Sequence, residues 1–264
     1  MTQNGGIPTQ LQGDREGQRP TTTKSDGMWP FREVPVERAE EGEELATQVR
    51  QAWRLGEDPI PNMTELLEER GIKIFITPLP ESVSGMTCLV RRSEGGNPVP
   101  VIVVNQQHRL ERRRLTLAHE LAHRVIDERA PADQEKAANY FAGAFLIPRE
   151  HLEREMGEHR KGLGYCELIQ LKQMYRVSAA AFLVRLKHVG IIDQSTLARA
   201  FRTFARGWRR EEPEPLEVAS HVGSYTRWTH IKPPEDGDMA CVSKMQEPAR
   251  RFERGRLWNL RGRA

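Results

Sequence analysis

Two histidines one helical turn apart, with a glutamate after the first, constrain this chain more than any other feature. His119, Glu120 and His123 stand as H-E-x-x-H inside LTLAHELAHRVID, Leu115 to Asp127, a run with the apolar spacing of a helix. Residues four apart on an α-helix share a face, with Cβ atoms roughly 5–6 Å apart, so both imidazoles can reach one ion. A bound zinc lowers the pKa of its water to about 7, and a carboxylate beside that water can take its proton and pass it to a leaving amine. Leu115, Leu117, Ala118, Leu121, Ala122, Val125 and Ile126 form a wide apolar surface, while Thr116, His119, Glu120, His123 and Asp127 make one polar stripe. A buried unpaired polar group costs roughly 1–3 kcal/mol. One metal gathering the stripe therefore accounts for it better than separately satisfied side chains. The motif arises by chance in roughly one chain of this size in a hundred, so the neighbouring sequence has to decide.

A catalytic zinc needs three protein ligands and keeps one position for water. The segment Glu135 to Pro148, EKAANYFAGAFLIP, offers the third. Glu135 and Asn139 share one helical face, and Ala138, Phe141, Ala142 and Phe145 make the packing side. That spacing would aim the Glu135 carboxylate at the metal and leave Asn139 to hydrogen-bond a ligand or cap the end of the first helix. Alone, Glu135 reads equally as a solvated acid; beside H-E-x-x-H it reads as a ligand.

RRRLTLAHELAHRVID followed by EKAANYFAGAFLIP resembles the ImmA/IrrE family of bacterial and phage metallopeptidases. The family pattern is an R-F-T-L-A-H-E-L-G-H helix and an E-x-x-A-N-x-F-A helix ending in a small apolar-Pro step. DPIPNMTELLEERGIKIF and PVIVVN fit it too, so the similarity runs from about Glu44 to about Trp208. The resemblance implies His119, His123 and Glu135 as ligands of one Zn2+ per chain and Glu120 as the catalytic base. It departs at Leu115, where Phe is common, and at Ala122, where Gly is common and which adds a methyl at a tight site. It further implies an endopeptidase that cuts a helix-turn-helix transcriptional repressor, releasing a mobile element or a stress response. The residues themselves support peptide hydrolysis; the repressor rests on the resemblance alone. The alternative is a non-proteolytic regulatory or DNA-binding module that keeps the fold for docking.

The rest of the chain sets the frame. With 264 residues, 38% of them hydrophobic, there is material for one sizeable core and for disordered ends. The expected architecture is α+β: a small three-stranded sheet packed on a mostly helical zincin-like core, with a C-terminal helix-turn-helix-like pair at 165–190. Residues 1–42 read as a disordered leader, 43–207 as the peptidase domain and 208–264 as a largely unstructured tail. Helices are expected over Glu44–Leu55 and Met63–Arg70, the latter capped by Asn62 or Thr64 and ended by Gly71. Strands are expected over Ile72–Thr77, Met86–Arg91 and Pro100–Val104. In zinc peptidases of this general design, an extended substrate adds as one more strand at the sheet edge.

Arg109, Arg112, Arg113 and Arg114 could grip an acidic substrate or nucleic acid but read as a solvated face. His151, His159 and Tyr140 could polarise a carbonyl but read as surface residues. In the helix-turn-helix outline, Arg185, Lys187 and His188 alone could reach bases, which favours packing over DNA reading. Net charge is only +3, and six arginines between Arg250 and Arg263 localise the basicity in the tail, where weak nucleic-acid affinity could arise. Cys88, Cys166 and Cys241 lack metal-ligand spacing and read as buried or inert thiols of a reducing cytoplasm. No apolar run nears the roughly 18 residues of a membrane span, and the N-terminus has no apolar signal core. A cytoplasmic protein is expected.

Overall fold

The computed structural model describes residues 33–91, 98–208 and 211–216. Among them the chain forms α1 (Glu41–Ala52), α2 (Met63–Glu69), β1 (Lys73–Thr77), β2 (Gly85–Val90) and β3 (Val99–Asn105). There follow α3 (Leu110–Val125), α4 (Gln134–Leu146), α5 (Arg149–Met156), α6 (Tyr165–Tyr175), α7 (Ala179–Val189) and α8 (Gln194–Phe204). This is the expected mixture of helices with a small three-stranded sheet. None of the described helices is long and apolar enough to cross a membrane.

The H-E-x-x-H helix is α3, and the fold is arranged on its two sides. One side meets β2 and β3, the other meets α4, and α1 packs on α4 from beyond. Leu121, Ala118, Ala122, Phe141 and Phe145 are completely buried at these contacts. Phe141 stacks on Phe145 at 5.5 Å, and Trp53 meets Phe145 edge-on at 5.8 Å. Gly42 makes the α1–α4 approach possible: a Cβ there would lie 2.3 Å from the Ala137 carbonyl oxygen.

The sheet order is β1-β3-β2, with β1 parallel and β2 antiparallel to β3. β3 is central, as its apolar run VPVIVVN suits, and β2 is the edge strand that lies on α3. Asn105, fully buried at the end of β3, fastens the β1–β2 loop. Its side-chain amide donates toward the carbonyls of Leu79, Pro80 and Val83 at 2.9–3.2 Å, while its oxygen accepts from the N–H groups of Leu79 and Gln107 at 3.3 and 3.0 Å.

Several expectations need correction. α3 starts at Leu110 and ends at Val125 rather than Asp127, because Ile126 turns extended and bridges Val34 in parallel. Val34 N–H donates to Val125 O at 2.8 Å and Asp127 N–H to Val34 O at 2.9 Å. Val36 and Ala39 join the core and α1 opens at Glu41, so order begins well before the expected boundary at 42. The remainder of the leader, with Trp29 and Phe31, lies outside the described residues. At the other end, 211–216 dock on the domain, so the tail expected from 208 is not unstructured there, while 217–264 lie outside the described residues. Of the cysteines read as buried or inert, Cys166 is exposed and Cys88 partly exposed, which leaves the inert reading for these two, and Cys241 lies outside the described residues.

α6 and α7 are joined at Arg176–Ser178, as the helix-turn-helix outline anticipates. Arg185, however, is 2% exposed. It donates to Ile147 O and pairs with Glu43, each at 3.0 Å, and so points into the domain. α8 was not anticipated; it caps on Asp193, whose carboxylate accepts from Thr196 N–H at 2.7 Å. Arg114 is likewise no part of a solvated face: 3% exposed, it donates to the carbonyls of Ile60, Pro61 and Arg176 at 2.6, 3.2 and 3.0 Å.

Candidate metal centre

α3 supplies His119, Glu120 and His123, and the first turn of α4 supplies Glu135. The turn between the helices is fixed by Gln134, whose amide donates to Asp127 O and Ala130 O, and by Asp133, which caps α4 through Lys136 N–H. The consequence is a convergence of three side chains from two helices: one donor atom each of His119, His123 and Glu135 lie within 4.8 Å of one another.

The finer distances test whether an ion fits. His119 Nε2 and His123 Nε2 are 3.1 Å apart, and they stand 3.3 and 3.5 Å from the two Glu135 oxygens respectively. Tetrahedral zinc with ligands at about 2.0–2.1 Å requires donor–donor edges of roughly 3.3 Å. Those separations lie near that value, though the two to Glu135 end on different carboxylate oxygens; with one donor atom from each residue within 4.8 Å of the others, the three side chains could close on such an ion with a small adjustment. Asn139, one turn after Glu135, places its Oδ1 3.1 Å from His119 Nδ1. A proton on Nδ1 donated to that oxygen leaves Nε2 to face the centre, where it donates to Glu135 when protonated and would offer its lone pair to an ion when not.

Glu120 does not join the triad. It sits under the edge strand, 7% exposed, where an added Cβ on Gly85 would come within 3.5 Å of its Cγ and 2.5 Å of Thr116 Cγ2. Glycine at 85 is thus what lets β2 close over the polar stripe. Burial pushes the Glu120 carboxyl above its ordinary 4.5, against the pull of His119 and His123. Burial alone would lower His119, but the hydrogen bond with Glu135 and the charge of Glu120 outweigh it and leave the imidazole above 6.5. Hydrogen bonds from His119 and His123 hold Glu135 far below its usual range, though its side chain is 57% exposed. The arrangement is a set of lone pairs aimed at one point, with an ionisable, desolvated carboxyl beside it.

The other candidates fall elsewhere. His151 is partly buried with Nδ1 2.7 Å from Tyr175 OH, and Tyr140 stacks on His188 at 4.5 Å, so neither is a plain surface residue. His159 is exposed. Sequence reasoning missed Gly85 and Asn105; the Ser-Gly before β2 is a signal for a close backbone approach, but it does not name the partner.

Residues 67–187 match the peptidase family M78, described as an IrrE N-terminal-like domain. No curated protein matches the chain.

Proposed function

Because residues 67–187 belong to the IrrE N-terminal-like family of peptidases, we propose that the chain is a zinc-dependent endopeptidase, with His119, His123 and Glu135 as ligands and Glu120 as general base. The observation that carries this reading is the convergence of one donor atom each from His119, His123 and Glu135 to within 4.8 Å of one another. The ion held there would supply Lewis acidity, polarising a peptide carbonyl and acidifying water. Glu120 accepts the proton of the attacking water and returns it to the amine of the departing peptide. A carboxyl raised above 4.5 by burial is a stronger base than a solvated one, which suits the first transfer, and a ready donor for the second. Asn139 orients the His119 ring through Nδ1.

The edge of β2 supports a way of presenting substrate. Asn105 N–H donates to Ser84 O, and Pro100, which has no N–H, stands opposite Leu89. In an antiparallel pair these facts put Ser84, Met86, Cys88 and Val90 in bonding register with β3, and turn the backbone groups of Gly85, Thr87 and Leu89 to the open edge. An extended peptide adding there brings its backbone alongside Glu120 at Gly85. The substrate we infer is a helix-turn-helix repressor, as the family resemblance implies. The burial of Arg185 weighs against the rival reading of a DNA-binding module.

The test uses the purified chain loaded with Zn2+ and candidate helix-turn-helix repressors as substrates. Glu120→Gln is expected to retain stoichiometric zinc and to lose at least about a hundredfold in cleavage rate, the usual worth of a positioned base. Cleavage by Glu120→Gln at the wild-type rate sinks the mechanism.

A further inference from the structure

Beyond the matched family region, the chain returns to the metal helix. Residues 211–216, EEPEPL, cross the α6–α7 turn and end on the first turn of α3. The contact is built on charge. Lys172 of α6 is completely buried, with its Nζ 3.1 Å from Glu212 Oε1 and 3.5 Å from Glu111 Oε1. Glu212 Oε1 also accepts the first N–H of α7, Ala179, at 2.7 Å, and Glu111 Oε1 accepts Leu216 N–H at 2.7 Å. Gln173 adds a hydrogen bond to Glu214 at 3.0 Å. Beside the strap lies an open groove of about 750 Å³, with Ile60, Met174, Pro215 and Leu216 in its lining.

We propose that residues 211–216 are a latch on the metal helix. Two features make the segment a latch rather than one more piece of core. Of its six residues only Glu212 is buried, so it is held by ion pairs and hydrogen bonds and can open without unmaking the apolar core. And it ends on Glu111, eight residues or about 12 Å along the axis from His119, on the helix that bears both imidazoles. Arg114 ties the same stretch of α3 to the carbonyls of Arg176, Ile60 and Pro61. Docked, the latch joins α3 to the α6–α7 turn; withdrawn, it leaves Lys172 with Glu111 alone at the longer distance. Pro213 and Pro215 restrict the free segment, which lowers the entropy lost on docking. The idea goes beyond the peptidase reading and rests on it only for the assignment of His119, His123 and Glu135 as ligands.

Hydrogen exchange by mass spectrometry on the full chain, with and without Co2+, reads the latch at the amides of Ala179 and Leu216. Both are expected to be protected in the wild type, and Co2+ is expected to slow Leu216 further. Glu212→Ala is expected to release Leu216 and to weaken Co2+ binding about fivefold or more, a modest site-to-site coupling. Glu212→Gln keeps an oxygen for Ala179 N–H and should fall between. Unchanged protection of β3 certifies that each variant is folded. Leu216 exchanging as fast in the wild type as in Glu212→Ala overturns the latch, and so does released Leu216 with wild-type Co2+ affinity. A wild type that protects Leu216 yet binds neither Co2+ nor Zn2+ refutes the ligand assignment, leaving 211–216 as a strut with nothing to control.

Discussion

Gly42→Ala sets two familiar effects against each other. Alanine is the better helix former by about 1 kcal/mol, and on that ground alone the substitution in α1 stabilises. The structure puts the new Cβ 2.3 Å from Ala137 O and 3.1 Å from Phe141 N, both backbone atoms that cannot rotate aside. Restoring an ordinary contact of roughly 3.5 Å moves α1 off α4 by about 1 Å, and a gap of that size forfeits a quarter to a half of each dispersion contact along the interface. Overpacking at a tight site costs typically 1–3 kcal/mol; with a backbone clash this close we take the upper end, for a net loss of about 2 kcal/mol after the propensity gain. With a urea m-value near 2 kcal/mol/M, the unfolding midpoint should fall by about 1 M at unchanged slope. Gly143→Ala is the control: its Cβ would meet only Arg185 Cδ at an ordinary 3.6 Å, so it should gain up to about 1 kcal/mol. Because Ala137 is two residues past Glu135, Gly42→Ala should also weaken Co2+ binding, whereas Gly143→Ala should not. If both substitutions move the midpoint in the same direction, close packing of α1 on α4 is not what the glycine serves.

Proton and metal compete for the His119 lone pair. With the imidazole raised above 6.5, metal affinity is fully present above that raised value and is lost as pH falls through it. A Zn2+ titration by calorimetry from pH 8 to pH 5.5 should show the fall beginning above 6.5; an onset only below 6 contradicts the site's electrostatics. The arginines before the motif should separate by burial. Arg114→Met strips a donor from three carbonyls and should cost about 2 kcal/mol or more, while Arg112→Met, whose exposed guanidinium donates to Ser84 Oγ, should stay within about 0.5 kcal/mol. Equal midpoints for the two variants in chemical denaturation would refute the distinction.

What the sequence made legible follows from the range of each cause. Spacing along α3 and along α4 is a property of one helix at a time, so the shared face of His119 and His123 and that of Glu135 and Asn139 could be anticipated from a period of four residues, while the meeting of the two faces depends on how the helices pack. The strands were also readable to within a residue or two, since their β-branched runs and bounding Pro and Gly are local. α8 carried comparable signals, an Asp193 cap with Leu197, Ala200, Phe201 and Phe204 at helical spacing, and was readable though missed. The supports of the site were not readable. A lysine or arginine in a sequence reads as solvated because burying it demands partners, and the partners of Lys172 and Arg114 stand between 40 and 62 residues away. Val34 reads as part of a polar leader until Ile126 is beside it. Gly42 has no meaning as a helix-weakening residue until the Ala137 carbonyl fills the space a methyl would take. Chemistry that needs a fixed spacing writes itself into a motif; the contacts that hold two helices at ligand distance are selected across the whole fold, and so fall on residues that no motif contains.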